Sequence, residues 1–303
     1  MDLDKPILVT GASGKTGQRV VASIAKMGGR VRAFVRRPET SEPLKRAGAA
    51  EITLGDLMDH GSLRLAMTGA GQVLHICPPM HPKEDAIART MIELASELAI
   101  DRFVLYSVLH PLLEGVPHHD RKLQAERALV DSGLNYTILQ PSRYMQHLAM
   151  IWKTVLTTGV HAMQFGTTVR FSLVDLADIV EAVARIMTEP GHDVATYQFA
   201  GPDALSQDDC AGILTSVLGR PIRAVAKPIE DFRRDAAASG MSGERIEGMI
   251  KMNAHYDAHG LVGNSNVLRW ILGREPTRFS EFVRRELCSS GNEMAGLKFL
   301  ANR

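Results

Sequence analysis

Glycines at 11, 14 and 17 follow the apolar run Ile7-Leu8-Val9-Thr10, and helix-spaced apolar residues (Val20, Val21, Ile24, Ala25) come after them. A strand, a glycine turn and a helix start in that order can cradle a dinucleotide pyrophosphate. Gly11 permits the tight turn, Gly14 lets the backbone approach the phosphates, and Gly17 lets the helix lie close to the strand. The unpaired N–H groups of the first helical turn then face the anion. The second strand, Val31–Val35, ends at Arg36-Arg37. An acid usually stands there to hold a ribose 2′-OH, about 20 residues past the glycines. A guanidinium instead grips a 2′-phosphate through charge-assisted bonds. NADP(H) is therefore the expected nucleotide, the bland alternative being an arginine pair on a solvated loop. Gly14-Lys15-Thr16 mimics the end of an NTPase phosphate loop, but that motif needs a glycine where Val9 stands.

Acid–base candidates cluster between the strand ending at Ser107 and the next one. Lys122, in Pro117-His118-His119-Asp120-Arg121-Lys122-Leu123, is placed over the carboxyl edge of a sheet. A lysine there can bond the nicotinamide ribose and polarise a substrate oxygen, or it is simply a surface lysine opening a helix. His118 stands four residues earlier, where a Tyr-x-x-x-Lys dehydrogenase carries its tyrosine, and histidine can donate a proton near neutrality. His119 competes for the same role. Ser107 could orient a substrate carbonyl or merely cap a turn. His255 and His259 share a helix face, but no third ligand is evident and no metal is expected. Methionines at 145, 150, 163, 241, 249 and 252 suit a core or an adaptable apolar pocket.

The elements that must position these residues alternate along the first half of the chain. Continuous apolar runs (Ile7–Thr10, Val31–Val35, Glu51–Leu54, Val73–Ile76, Phe103–Ser107, Tyr136–Gln140) are separated by amphipathic stretches such as Lys15–Met27, Lys83–Leu98 and Arg121–Asp131. Buried strands between helices imply a doubly wound parallel α/β sheet of Rossmann type. Past Pro141 the pattern loosens. A helix over Ser142–Leu156, a strand at Thr168–Ser172, a helix from Asp175 to about Thr188 and a strand at Ala195–Phe199 are expected. A capped helix over Ser206–Leu218 and helices at Glu244–His255 and Phe279–Leu287 follow. The expected organisation is a nucleotide-binding domain over 1–150, rejoined by 168–200, with a smaller, mostly helical lobe over 151–303 for a substrate or partner. The cleft should lie at the carboxyl ends of the strands.

Composition excludes several classes. The 303 residues carry a net charge of +1, 45% hydrophobic and 5% aromatic residues, so neither a phosphate track nor a stacking platform for nucleic acid is expected. Cys77, Cys210 and Cys288 have no disulfide or zinc spacing. No run approaches the ~18 apolar residues of a membrane span, and the N-terminus enters the first strand without a leader pattern. A cytoplasmic location is expected.

The chain resembles atypical short-chain dehydrogenases/reductases of the NmrA-like branch, which includes triphenylmethane-, quinone- and isoflavone-reductase types. The matching segments are Val-Thr-Gly-Ala-Ser-Gly-Lys-Thr-Gly at 9–17, Phe-Val-Arg-Arg-Pro at 34–38, Gly-Asp-Leu at 55–57 and Ser-Gly-Leu-Asn-Tyr-Thr-Ile-Leu-Gln-Pro at 132–141. The resemblance implies that backbone at Ser13, Lys15 and Thr16 cradles the pyrophosphate and that Arg36, beside Arg37, holds the 2′-phosphate. Asp56, with Leu57, would meet the adenine, and Ile76 and Cys77 the ribose. Lys122 would be the catalytic lysine. The absence of a tyrosine at 118 departs from the usual Tyr/Lys couple and argues against a simple alcohol dehydrogenase. The implied activity is an NADPH-dependent reductase acting on a small apolar or aromatic acceptor: a quinone, enone or aromatic imine. The rival is a non-catalytic NADP(H) sensor with a regulatory protein partner, and an epimerase or dehydratase ranks last. A homodimer fits either of the first two.

Overall fold

The computed structural model describes residues 4–288. Its elements run β1 (Ile7–Val9), α1 (Lys15–Lys26), β2 (Val31–Val35), α2 (Ser41–Arg46), β3 (Glu51–Leu54), α3 (His60–Met67), β4 (Gln72–His75), α4 (Glu84–Glu97), β5 (Arg102–Tyr106), α5 (Pro117–Val130) and β6 (Tyr136–Pro141). Then come α6 (Trp152–Thr158), β7 (Val160–Met163), β8 (Phe171–Ser172), α7 (Leu176–Thr188), β9 (Ala195–Phe199), β10 (Ala204–Leu205), α8 (Gln207–Leu218) and β11 (Arg223–Ala226). The helices α9 (Ile229–Ala238), α10 (Gly243–His259), α11 (Asn266–Leu272) and α12 (Phe279–Phe282), the last continuing as a π-helix over Val283–Cys288, complete the described chain.

Two compact units result. One holds the residues up to Glu114, His118–Pro141 and Ile179–Tyr197; the other holds Gly115–Pro117, Ser142–Asp178 and Gln198 onward. The division thus falls after Pro141 where 150 was expected, and the rejoining stretch is Ile179–Tyr197 in place of 168–200.

In the first unit the sheet runs in the order β3-β2-β1-β4-β5-β6-β9. Parallel pairing joins β3, β2, β1, β4, β5 and β6 in turn. The strand order reverses direction between β1 and β4, so adjacent crossovers leave on opposite faces and open a crevice at the carboxyl ends. Full burial of β1, β4 and β5 explains why they read as apolar runs with no alternation. Leu8, Phe34, Leu63, Met91, Phe103, Leu129 and Ile138 form the core against α3, α4 and α5.

In the second unit a separate core gathers Met145, Leu148, Trp152, Val155, Leu214, Phe279 and Phe282. The helix expected over Ser142–Leu156 is instead a 3₁₀ turn at Met145–Met150 followed by α6. The side chain of Gln146 accounts for part of that break, because it bonds Asp175 and the backbone N–H of Leu176 and anchors the turn to the start of α7. The two-stranded ladders β7·β11 and β8·β10 went unpredicted, since strands this short carry too few residues for a period-2 signal. Ser206 caps α8 in a capping box with Asp209, as its sequence implies.

Candidate functional site

Because β1 to β5 are parallel, their carboxyl ends share one edge, and the sequence candidates of the first unit fall there. The glycine loop follows β1, Arg36 follows β2, Asp56 and Leu57 follow β3, Ile76 and Cys77 follow β4, and Ser107 follows β5. Thr10 ties β1 to β4: its hydroxyl accepts from Ile76 N–H at 3.0 Å and lies 2.8 Å from His75 Nδ1. His75 is fully enclosed, and burial holds it down at about 3, hence neutral.

Each glycine of the loop has its own reason. Gly11 takes φ +62°, and a Cβ there would stand 2.4 Å from Ile76 O. Gly17 is packed so tightly that a Cβ would meet Gly11 O at 2.2 Å and Ala12 Cα at 2.7 Å. Gly14 differs: it is exposed, a Cβ would meet only Gly11 O at 3.2 Å, and it starts α1 with no side-chain cap. Position 14 therefore opens onto the uncapped amides of a 12-residue helix, where a phosphate can bind. At the end of β2, Arg36 is exposed and has no ion pair or hydrogen bond among the described residues. Its neighbour Arg37 instead lies 3.6 Å from Glu39. Asp56 accepts from Met58 N–H at 2.8 Å, so its carboxylate shapes the turn, and Leu57 packs on the core. An uncapped helix start, an open Gly14 and a free guanidinium fit a phosphorylated dinucleotide.

The acid–base group is arranged differently from the sequence expectation. Helix α5 starts at Pro117, not near Arg121, so His118 and His119 lie in its first turn. His119 is fully buried with Nδ1 2.8 Å from His110 O, which removes it as a stand-in for His118. Lys122 is also buried. Its ammonium sits 2.5 Å from Glu84 Oε1 and donates to Tyr106 O at 2.6 Å. Thus Lys122 is not the loose surface cation one reading allowed; its charge is already balanced by a carboxylate. His118 Nδ1 stands 3.6 Å from Glu84 Oε2, and neither atom has a hydrogen-bond partner among the described residues. Burial, then the charge of Lys122, brings His118 down to about 3. The expectation of a histidine that titrates near neutrality is thereby corrected: at pH 7 this imidazole is neutral.

Sequence reasoning missed two carboxylates here. Glu84 opens α4, and Glu126 lies one turn beyond Lys122 on α5. Glu126 is pushed up by burial, while it accepts from Ser107 Oγ and, at 3.0 Å, from Gln140 Nε2. The Ser107 hydroxyl is consequently committed to Glu126 and is not free to orient a carbonyl. The i,i+4 spacing of Lys122 and Glu126 was the available signal. Cys77, beside the Glu84 carboxylate, is pushed up to about 12, chiefly by burial, and is no thiolate nucleophile. The His255 and His259 rings lie tilted to one another, 4.7 Å between centroids, on α10, and no metal-binding cluster occurs among the described residues.

The fold is a Rossmann-type α/β sheet, with a glycine loop between β1 and α1. Residues 3–283 match the NmrA-like family, and the chain belongs to it. It is 26% identical over 286 residues to an NAD(P)H azoreductase of Xenophilus azovorans, covering 94% of this chain and 99% of that one. An NADPH-dependent quinone oxidoreductase of Escherichia coli, solved with NADPH, superposes with a TM-score of 0.81 at 25% identity over 91% of this chain and 98% of that one. The Citrobacter triphenylmethane reductase solved with NADP(H) has the same fold, with a TM-score of 0.81 at 21% identity over 92% of this chain and 99% of that one. No helix among the described residues is long and apolar enough to cross a membrane.

Proposed function

We propose that this protein is an NADPH-dependent reductase of small conjugated acceptors. The observation that carries the reading is the unpartnered Arg36 at the end of β2, beside an uncapped α1 and an open Gly14. Backbone amides at Ser13, Lys15 and Thr16 hold the pyrophosphate, with Arg36 on the 2′-phosphate, while Ile76 and Cys77 line the ribose. When bound, NADPH supplies a hydride equivalent, two electrons and one proton nucleus. A quinone, azo or enone acceptor that takes them needs one further proton. The names of the azoreductase and quinone oxidoreductase relatives support this class of acceptor.

The chain's own residues set the field around the reaction. Lys122 contributes positive charge that Glu84 offsets, so it orients the cofactor more than it neutralises a developing oxyanion. Glu126, held toward its protonated form by burial and hydrogen-bonded to Ser107 and Gln140, is the better candidate to hold a proton than His118. The balanced Lys122 charge equally suits a non-catalytic NADP(H) sensor with a regulatory partner. Following NADPH oxidation against a panel of quinones, azo compounds and enones separates the two. Turnover of any panel member supports the reductase, whereas tight NADPH binding without turnover favours the sensor.

A further inference from the structure

The second unit contains a cavity of about 40 Å³ lined by Arg143, His161, Met163, Phe165, Phe171 and Gln207, among others. Arg143 carries a cation there, and no carboxylate among the described residues is paired with it. Its guanidinium lies 4.9 Å from the Phe165 ring centroid and 5.5 Å from that of Phe171, and it donates to Met163 Sδ at 4.0 Å, with the Tyr256 hydroxyl and the Cys210 thiol also close enough to act on its charge. Two further polar atoms in the lining lack partners. His161 is 7% exposed, and its Nδ1 has no hydrogen bond. Gln207 is 3% exposed, and its Oε1 has none either, although its amide nitrogen is spent on Phe165 O.

Buried polar atoms are almost always paired, so two orphans and an unbalanced cation around one cavity mark a place built for a ligand. Desolvation lowers Arg143 only to about 10, so it stays charged at neutral pH. The same burial and the nearby Arg143 hold His161 at about 4, hence neutral, so it offers a single N–H. We infer that this cavity receives the carboxylate of an organic acid, with Arg143 and His161 donating to its oxygens. Phe165 and Phe171 pack against the half-buried guanidinium, which leaves its N–H edges for a planar anion. Gln207 Oε1 accepts from a hydroxyl or water beside the carboxylate. Size sets the limit. A cavity of about 150 Å³ holds benzene, so 40 Å³ admits the head group and leaves the rest of the acid at the mouth.

The binding site stands on this cavity alone.

Calorimetric titration of the full chain with benzoate, in the presence of saturating NADP⁺, tests the inference. Benzoate should bind at least tenfold more tightly than benzyl alcohol, and Arg143→Met should weaken benzoate by about tenfold or more. His161 gives a readout that needs no folded variant: its ring proton resonance should shift on adding benzoate to the wild type. Equal affinity for benzoate and benzyl alcohol would overturn the proposal, as would unchanged benzoate affinity in a folded Arg143→Met. A motionless His161 resonance at saturating benzoate, or water as the cavity's sole occupant, would do the same. Turnover of uncharged menadione with NADPH tests the reductase reading separately, so failure of either leaves the other decided by its own assay.

Discussion

Replacing Lys122 by methionine should destabilise the first unit before it reports on catalysis. Glu84 is 2% exposed and Lys122 5%, with 2.5 Å between ammonium and carboxylate. Removing the cation strands a buried carboxylate and leaves Tyr106 O without its donor at 2.6 Å. Breaking a buried pair in this way costs about 3–5 kcal/mol, a large share of the ~5–15 kcal/mol that holds a domain together. Replacing both members with neutral groups removes the stranded charge, so Glu84→Gln/Lys122→Met should recover about half of that loss. Urea unfolding of the wild type, the two single variants and the double variant gives the coupling directly, read from the midpoint at constant slope. We expect a coupling of about 2 kcal/mol or more. Additive single effects, within about 0.5 kcal/mol, would refute the assignment of Lys122 to a buried ion pair. The cycle also conditions any kinetic test: kcat for Lys122 variants must be measured where the folded fraction is known.

Gly14→Ala should keep the fold, because its φ of −74° suits any residue and a Cβ meets only Gly11 O at 3.2 Å, but it should weaken NADPH binding by filling the phosphate space. Gly17→Ala should instead lower thermal stability even without nucleotide, since the added carbon would sit 2.2 Å from Gly11 O; equal melting temperatures for the two variants would contradict this. Acid should destabilise the protein through His75 and His118. Each is held at about 3 when folded against 6.5 when free, so the unfolded chain binds protons first as the pH falls. Their stabilising effect is full above about pH 6.5 and drains toward 3, a loss of about 2 kcal/mol per histidine between pH 7 and 5. Urea midpoints that do not move across that range would refute the neutral assignments. If Glu126 rather than His118 holds the proton, Glu126→Gln should cut kcat by about 10²–10⁴-fold, with His118→Gln nearer to wild type. A change in the pH profile only for His118→Gln would reverse the roles.

The sheet and the glycine loop were legible because parallel strands buried on both faces must be continuous apolar runs, and a pyrophosphate turn needs glycine at fixed offsets. Ile7–Val9 and Val31–Val35 accordingly fall where the sequence places them, within a residue, and the half-exposed edge strand Glu51–Leu54 does so as well. Arg36 was legible for the same reason: its place is set by the end of a strand. Glu84 was not, because an acid in the first turn of a helix reads as a dipole partner until the fold brings Lys122 to it. The same holds for His119, whose sequence position matches that of His118 while its ring is fully buried. Beyond Pro141 the elements are short and joined by side-chain bonds such as Gln146 to Asp175, which no periodicity records. Arg143 and His161 were hidden for that reason. They come together only through the turn after β6 and the pairing of β7 with β11.

The central claim, a reductase that selects NADPH through Arg36, is tested most directly by comparing kcat/KM for NADPH and NADH with one reducible quinone. Losing a charge-assisted bond costs about 1.5–3 kcal/mol, so the wild type should prefer NADPH by roughly 10- to 150-fold. In Arg36→Ala that preference should collapse toward unity through loss of NADPH efficiency, with NADH turnover nearly unchanged. Equal use of both nucleotides by the wild type, or a preference that survives in Arg36→Ala, would contradict the account.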